Sequence, residues 1–212
     1  MTDFTARDTS MIKIGKLFVL EGPDGVGKTT LAMSLVEHLT SNGVGCEFMS
    51  FPGRERGTLG HHVYQLHHNA LHFGIESIRP TSLQMLHIAA HIDAIETRII
   101  PKLRSGQHVV LDRFWWSTWV YGMVAKANRK ALRAMIRAER ACWNRTHPSA
   151  TFLITRAKSL REQEVAGRWR ELCQAYQELA ESERRRYPVY VISNDSTVED
   201  ALCRMVSSVE AD

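Results

Sequence analysis

Short apolar runs alternate along this chain with stretches whose apolar residues return at helical spacing. Lys16-Leu17-Phe18-Val19-Leu20 is apolar on successive residues and stops at a glycine turn, which predicts a buried strand. After Lys28, Leu31, Leu35, Val36 and Leu39 recur at helical spacing, and Ser41-Asn42-Gly43 ends the run. Cys46 to Phe51 predicts a second strand, closed by Pro52-Gly53. A long helix is expected from about Thr81 to Leu103, carrying Leu83, Leu86, Ala90, Ile95 and Ile99. His108 to Asp112 predicts a third strand with a carboxylate at its end, and Ala150 to Ile154 and Val189 to Ile192 the fourth and fifth.

Strands apolar on both faces and alternating with helices imply a parallel sheet covered on both sides. The expected fold class is α/β, a three-layer sandwich with five parallel strands. Ligands of such sheets bind beyond the carboxyl ends of the strands. Gly22, Phe51-Pro52 and Asp112 each follow or end a strand, so they are expected to gather on one edge.

That edge carries the chain's most specific motif, Gly22-Pro23-Asp24-Gly25-Val26-Gly27-Lys28-Thr29, followed by Thr30. Glycines at 22, 25 and 27 let the backbone turn and aim successive N–H groups at one anion. The helix beginning near Lys28 adds its positive end. In this pattern the lysine reaches the β- and γ-phosphates of a nucleoside triphosphate, and the hydroxyl of Thr29 ligates magnesium. Asp112, at the end of its strand, is a second candidate magnesium ligand, and Arg113 follows it.

Composition narrows the reading further. The 212 residues suffice for one domain, set here as 16–208 behind a tail at 1–15. A net charge of +4 suits a small phosphate-bearing ligand and does not by itself call for nucleic acid. The scattered Cys46, Cys142, Cys173 and Cys203 make a disulfide framework or zinc site a poor reading and favour a reducing cytoplasm. No apolar run approaches bilayer length, so no membrane is expected. Among the ten histidines, His61-His62, His67-His68 and His72 cluster, and His87 and His91 have ligand spacing. No cysteine or carboxylate set completes a structural metal site around them. The charged stretch from Arg161 to Arg186 reads either as a solvated helix face or as a lid that brings arginines to phosphates.

Taken together, the motifs resemble the thymidylate kinase family of P-loop nucleoside monophosphate kinases. The strongest pieces are Phe18 to Thr30, Phe51-Pro52-Gly53-Arg54, and Val110-Leu111-Asp112-Arg113-Phe114 with Ser117 and Thr118; Tyr176 to Ala180 and Val191-Ile192-Ser193 add weaker support. The resemblance implies the P-loop kinase fold, ATP with Mg2+, and phosphoryl transfer to a nucleoside monophosphate, thymidine monophosphate by default. It implies small nucleotide substrates as the partners, and a homodimer.

It also assigns roles. Lys28, Asp112, Arg113 and Arg54 would be catalytic; Gly22, Asp24, Gly25, Val26, Gly27, Lys28, Thr29 and Thr30 would hold ATP; Thr29 and Asp112 would hold the metal. Asp24, which would contact the acceptor's 3′-hydroxyl, joins Phe51, Arg54, His87, His91, Arg113, Ser117 and Tyr121 on the acceptor side. Where one subgroup has an arginine this chain has Gly25, so the positive charge is expected from a short lid around 156–170 carrying Arg161, Arg168 and Arg170. The chain departs from the family on its long helix. His87 and His91 stand where an aromatic ring and an arginine usually meet the base, and bulky Trp115 and Trp116 follow the Asp-Arg pair. A kinase for another or a modified deoxynucleotide, a kinase for a non-nucleotide acceptor, and a nucleotide-binding regulatory protein therefore stay open.

Overall fold

β1 (Leu17–Glu21) lies at the centre of a five-stranded sheet, between β3 (His108–Asp112) and β4 (Ala150–Thr155). β2 (Cys46–Ser50) pairs outside β3, and β5 (Val189–Ser193) outside β4, giving the order β2-β3-β1-β4-β5 with every pair parallel. The computed structural model describes residues 14–161 and 166–210. Residues 1–13 of the expected tail and 162–165 of the expected lid lie outside the described residues.

Alternation along the strands explains the three layers. Leu17, Val19, Val109, Leu111 and Leu153 face one core, while Phe18, Leu20, Val110, Phe152 and Ile154 face the other. The second core is closed by α1 (Lys28–Ser41) and α8 (Val198–Glu210), through residues such as Leu31, Leu35, Ala201 and Met205. The first is closed by α3 (Pro80–Ala94), α5 (Trp115–Val124), α6 (Arg129–Cys142) and α7 (Ala166–Glu183). Burying both faces of each strand requires apolar residues at successive positions, which is the pattern these strands carry.

The long helix expected over 81–103 is interrupted. α3 passes into one π-helical turn, Ile95–Ile99, and then into α4 (Ile100–Arg104). Pro101 has no N–H to donate to the preceding turn, and the backbone widens ahead of it. Upstream, α2 (Leu59–His68) starts at Thr58, whose hydroxyl accepts from the N–H of His61 at 3.1 Å.

Candidate active site

The register of the sheet brings the expected loops together. The N–H of Arg113 donates to the carbonyl of Leu20 at 2.9 Å, and the N–H of Phe51 donates to the carbonyl of Asp112 at 3.0 Å. The turns after β1, β2 and β3 therefore leave one edge side by side.

The turn after β1 ends at Gly27, whose left-handed φ of 89° opens α1 directly into Lys28. Lys28 is buried, and its ammonium donates to the Pro23 carbonyl at 2.7 Å. Burial lowers its pKa, while Asp112 and Glu21 nearby pull the other way. The hydroxyl of Thr29 donates to Asp112 Oδ2 at 2.5 Å. The other oxygen, Oδ1, is buried without a hydrogen-bond partner among the described residues. A hydroxyl and a carboxylate with one oxygen unspent form an oxygen donor set that fits a magnesium ion, which keeps most of its ligands as water and phosphate. Among the described residues no group of three or more His, Cys, Asp or Glu is arranged to hold a metal.

Gly25 is a second point where the local conformation favours glycine. Its φ is 82°, and a Cβ there would run into the Ser159 hydroxyl. The segment after β4 folds over it, with the N–H of Leu160 donating to the Gly25 carbonyl at 2.9 Å. That contact delivers Arg161, whose Nη1 donates to Asp24 Oδ2 at 2.9 Å. The expected lid arginine thus meets the loop. Arg168 and Arg170 are exposed on α7, either side of the buried Trp169, and no described contact joins them to the loop.

Arg113 completes the cluster. Its guanidinium donates to Asp24 Oδ1 and, at 2.9 Å, to Ser117 Oγ. Its φ of 78° is unusual for a residue with a Cβ and turns the side chain back over the loop. Ser117 Oγ donates to Glu21 Oε2 at 2.7 Å and shares a 2.8 Å hydrogen bond with Tyr176. Glu21 Oε1 accepts from the N–H groups of Phe114 and Ser117, so this carboxylate caps α5. Complete burial raises the Glu21 pKa, and the Ser117 hydrogen bond opposes the shift. Tyr121, at the outer end of α5, accepts from the N–H of Asp24 at 2.9 Å.

Arg54 lies 4.7 Å from the centre of the Tyr64 ring, and its charge lowers the pKa of His68 after partial burial does so. His91 is buried rather than open: its Nδ1 meets Glu139 Oε2 at 3.0 Å, and its ring stacks on Phe51 at 4.0 Å. His87 pairs through Nε2 with His67 Nδ1 at 3.2 Å. Burial and the neighbouring His91 push its pKa down to about 3. Trp115 and Trp116, whose bulk departs from the family pattern, belong to the core; the indole N–H of Trp116 donates to Tyr187 at 2.9 Å.

Sequence reasoning passed over Glu21, Glu139 and Asn194. A carboxylate ending an apolar strand was the available signal for Glu21. Asn194, just past β5, donates from Nδ2 to the Val26 carbonyl at 2.7 Å and braces the loop. Nothing local marks Glu139, whose partner lies 48 residues away.

Comparison with known proteins places the chain in a family. The thymidylate kinase family model matches residues 20–201. A thymidylate kinase of Bartonella henselae is 33% identical over 145 residues, covering 66% of this chain and 62% of that protein, less than two thirds of its length. A thymidylate kinase of a Synechococcus species is 30% identical over 200 residues, covering 90% of this chain and 92% of the relative. The crystal structure of thymidylate kinase from Ehrlichia chaffeensis superposes with a TM-score of 0.72 at 19% identity, over 91% of this chain and 97% of that one, and so shares the fold. No helix among the described residues is long and apolar enough to cross a membrane.

Proposed function

This chain belongs to the thymidylate kinase family, and from that premise we propose that it transfers the terminal phosphate of ATP to thymidine monophosphate, giving the diphosphate and ADP. The observation that carries the reading is the junction of the Lys28–Thr29 turn with Asp112 on one side and Asp24 with two arginines on the other. A donor triphosphate and an acceptor phosphate need such neighbouring sites.

The acceptor's phosphate oxygen is already anionic at neutral pH, so no general base is required, and catalysis rests on positioning and charge neutralisation. Lys28 exchanges its Pro23 carbonyl for phosphate oxygens. Thr29 and Asp112 would hold the magnesium ion, which lowers the negative charge the reacting phosphates present to each other. Arg113 and Arg161, both now bonded to Asp24, are placed to turn toward the transferring group as Asp24 takes up the sugar hydroxyl. Arg54 supplies a further charge for the acceptor phosphate. Cytoplasmic residence and a homodimer accompany this reading.

His91, locked to Glu139, supports a second reading, in which the acceptor carries another or a modified pyrimidine. A coupled assay of ADP release with ATP, magnesium and a panel of nucleoside monophosphates tests both. Thymidine monophosphate is expected to give the highest kcat/KM; a higher value for another base selects the second reading, and no release with any acceptor removes both.

A further inference from the structure

A groove of about 890 Å³ lies away from the phosphate loop, between α5, α6 and α7. Its floor is apolar, built from Trp119, Met123, Ile136 and Leu179. Its rim is strongly basic: Arg129, Arg133, Arg137, Arg140 and Arg186 line it, with Glu178 as the one lining carboxylate. Arg140 and Arg186 are tethered to the buried Glu183, at 3.8 and 3.6 Å. Arg129, Arg133 and Arg137 recur every fourth residue on one side of α6, are exposed, and have no ion-pair partner among the described residues.

A carboxylate or phosphate would satisfy those forks, since guanidinium groups bind such oxygens in pairs. The volume lies within the roughly 300–1,000 Å³ of sites that take one organic ligand. Trp119, part-buried in the floor, offers an aromatic face to a flat group. We propose that this groove is a second ligand site, distinct from the phosphate loop, for an aromatic organophosphate of nucleoside polyphosphate type. Its base would lie on the floor and its phosphates on Arg129, Arg133 and Arg137.

Two of the three helices flanking the groove, α5 and α7, also carry the catalytic network. On α5, Trp119 faces the groove, whereas Ser117 and Tyr121 bond to Arg113 and Asp24. On α7, Ala175 and Leu179 face the groove, whereas Tyr176 bonds to Ser117. A ligand between these helices bears on the position of Ser117 and through it on Arg113, so its occupancy is expected to alter turnover.

The binding claim does not depend on the kinase reading, and calorimetry with dTTP tests it directly. Wild-type chain is expected to bind dTTP at a site that the double substitution Arg133→Glu/Arg137→Glu weakens at least tenfold, with inorganic tripolyphosphate binding that site at least tenfold more weakly than dTTP. Both arginines are exposed, and circular dichroism reports whether the variant folds. Equal affinity of the two anions, or dTTP binding unchanged in the folded variant, overturns the site. A wild-type groove indifferent to dTTP, together with a variant of altered mass in sedimentation, gives the groove to a second copy of the chain instead. Turnover at saturating substrates that is the same with and without groove-bound dTTP overturns the coupling to α5 and α7.

Discussion

The Thr29 hydroxyl donates a 2.5 Å hydrogen bond to Asp112, joining residues 83 apart in the chain. It ties the phosphate loop to the end of the neighbouring strand and leaves the second Asp112 oxygen buried with no hydrogen-bond partner among the described residues. Asp112→Asn keeps the shape and removes the charge. Turnover is expected to fall about 10²–10³-fold with the fold intact, and the magnesium concentration for half-maximal rate to rise. An unchanged magnesium dependence would take Asp112 out of the metal site.

Arg161 reaches Asp24 from the segment that closes over Gly25. Arg161→Ala is expected to lower kcat about 10–100-fold and to change the KM for ATP less, because a group that acts on the transferring phosphate is lost mainly in the transition state. Steady-state kinetics decide it. A change in KM alone would make Arg161 a ground-state contact.

The helix expected from near Lys28 to about Ser41-Asn42-Gly43 and the strand expected at 108–112 coincide with α1 and β3, because glycine turns and apolar runs mark both. The phosphate loop was legible for the same reason: its chemistry is contiguous. The acceptor side was not. His91 reads in sequence as an accessible ring on a helix, yet Glu139, 48 residues later, and Phe51 fix it in the interior. The turn at Arg113 was equally silent, since a positive φ at an arginine comes from tertiary contacts and not from its own preference. Arg168 and Arg170 share the charge pattern of Arg161, but the helix phase around the buried Trp169 sends them outward.

The His91–Glu139 pair is buried on both sides. Glu139→Ala leaves His91 without its partner and is expected to destabilise the fold by about 3–5 kcal/mol. The double substitution His91→Leu/Glu139→Leu is expected to recover part of that loss. Urea denaturation of the three proteins measures it. A single substitution without effect would mean that the pair adds nothing to stability.

His87 gives a pH dependence of definite sign. Its folded pKa is lowered to about 3 from 6.5, so between these values the unfolded chain binds the extra proton. Stability from this residue is therefore full above about pH 6.5 and declines as the pH falls toward 3. Solvent at the His87–His67 pair screens the effect, leaving about 1 kcal/mol between pH 7 and 5. His87→Gln is expected to lose less stability than wild type over that interval, read from urea midpoints. Parallel losses would show that other groups set the slope.

Transfer of the phosphate itself is the most direct measurement. Chain incubated with γ-labelled ATP, magnesium and thymidine monophosphate is expected to yield labelled thymidine diphosphate, with the rate reduced roughly 10³-fold or more in folded Lys28→Ala. Label that stays in ATP or appears only as inorganic phosphate, or a Lys28→Ala protein of full activity, would contradict the account.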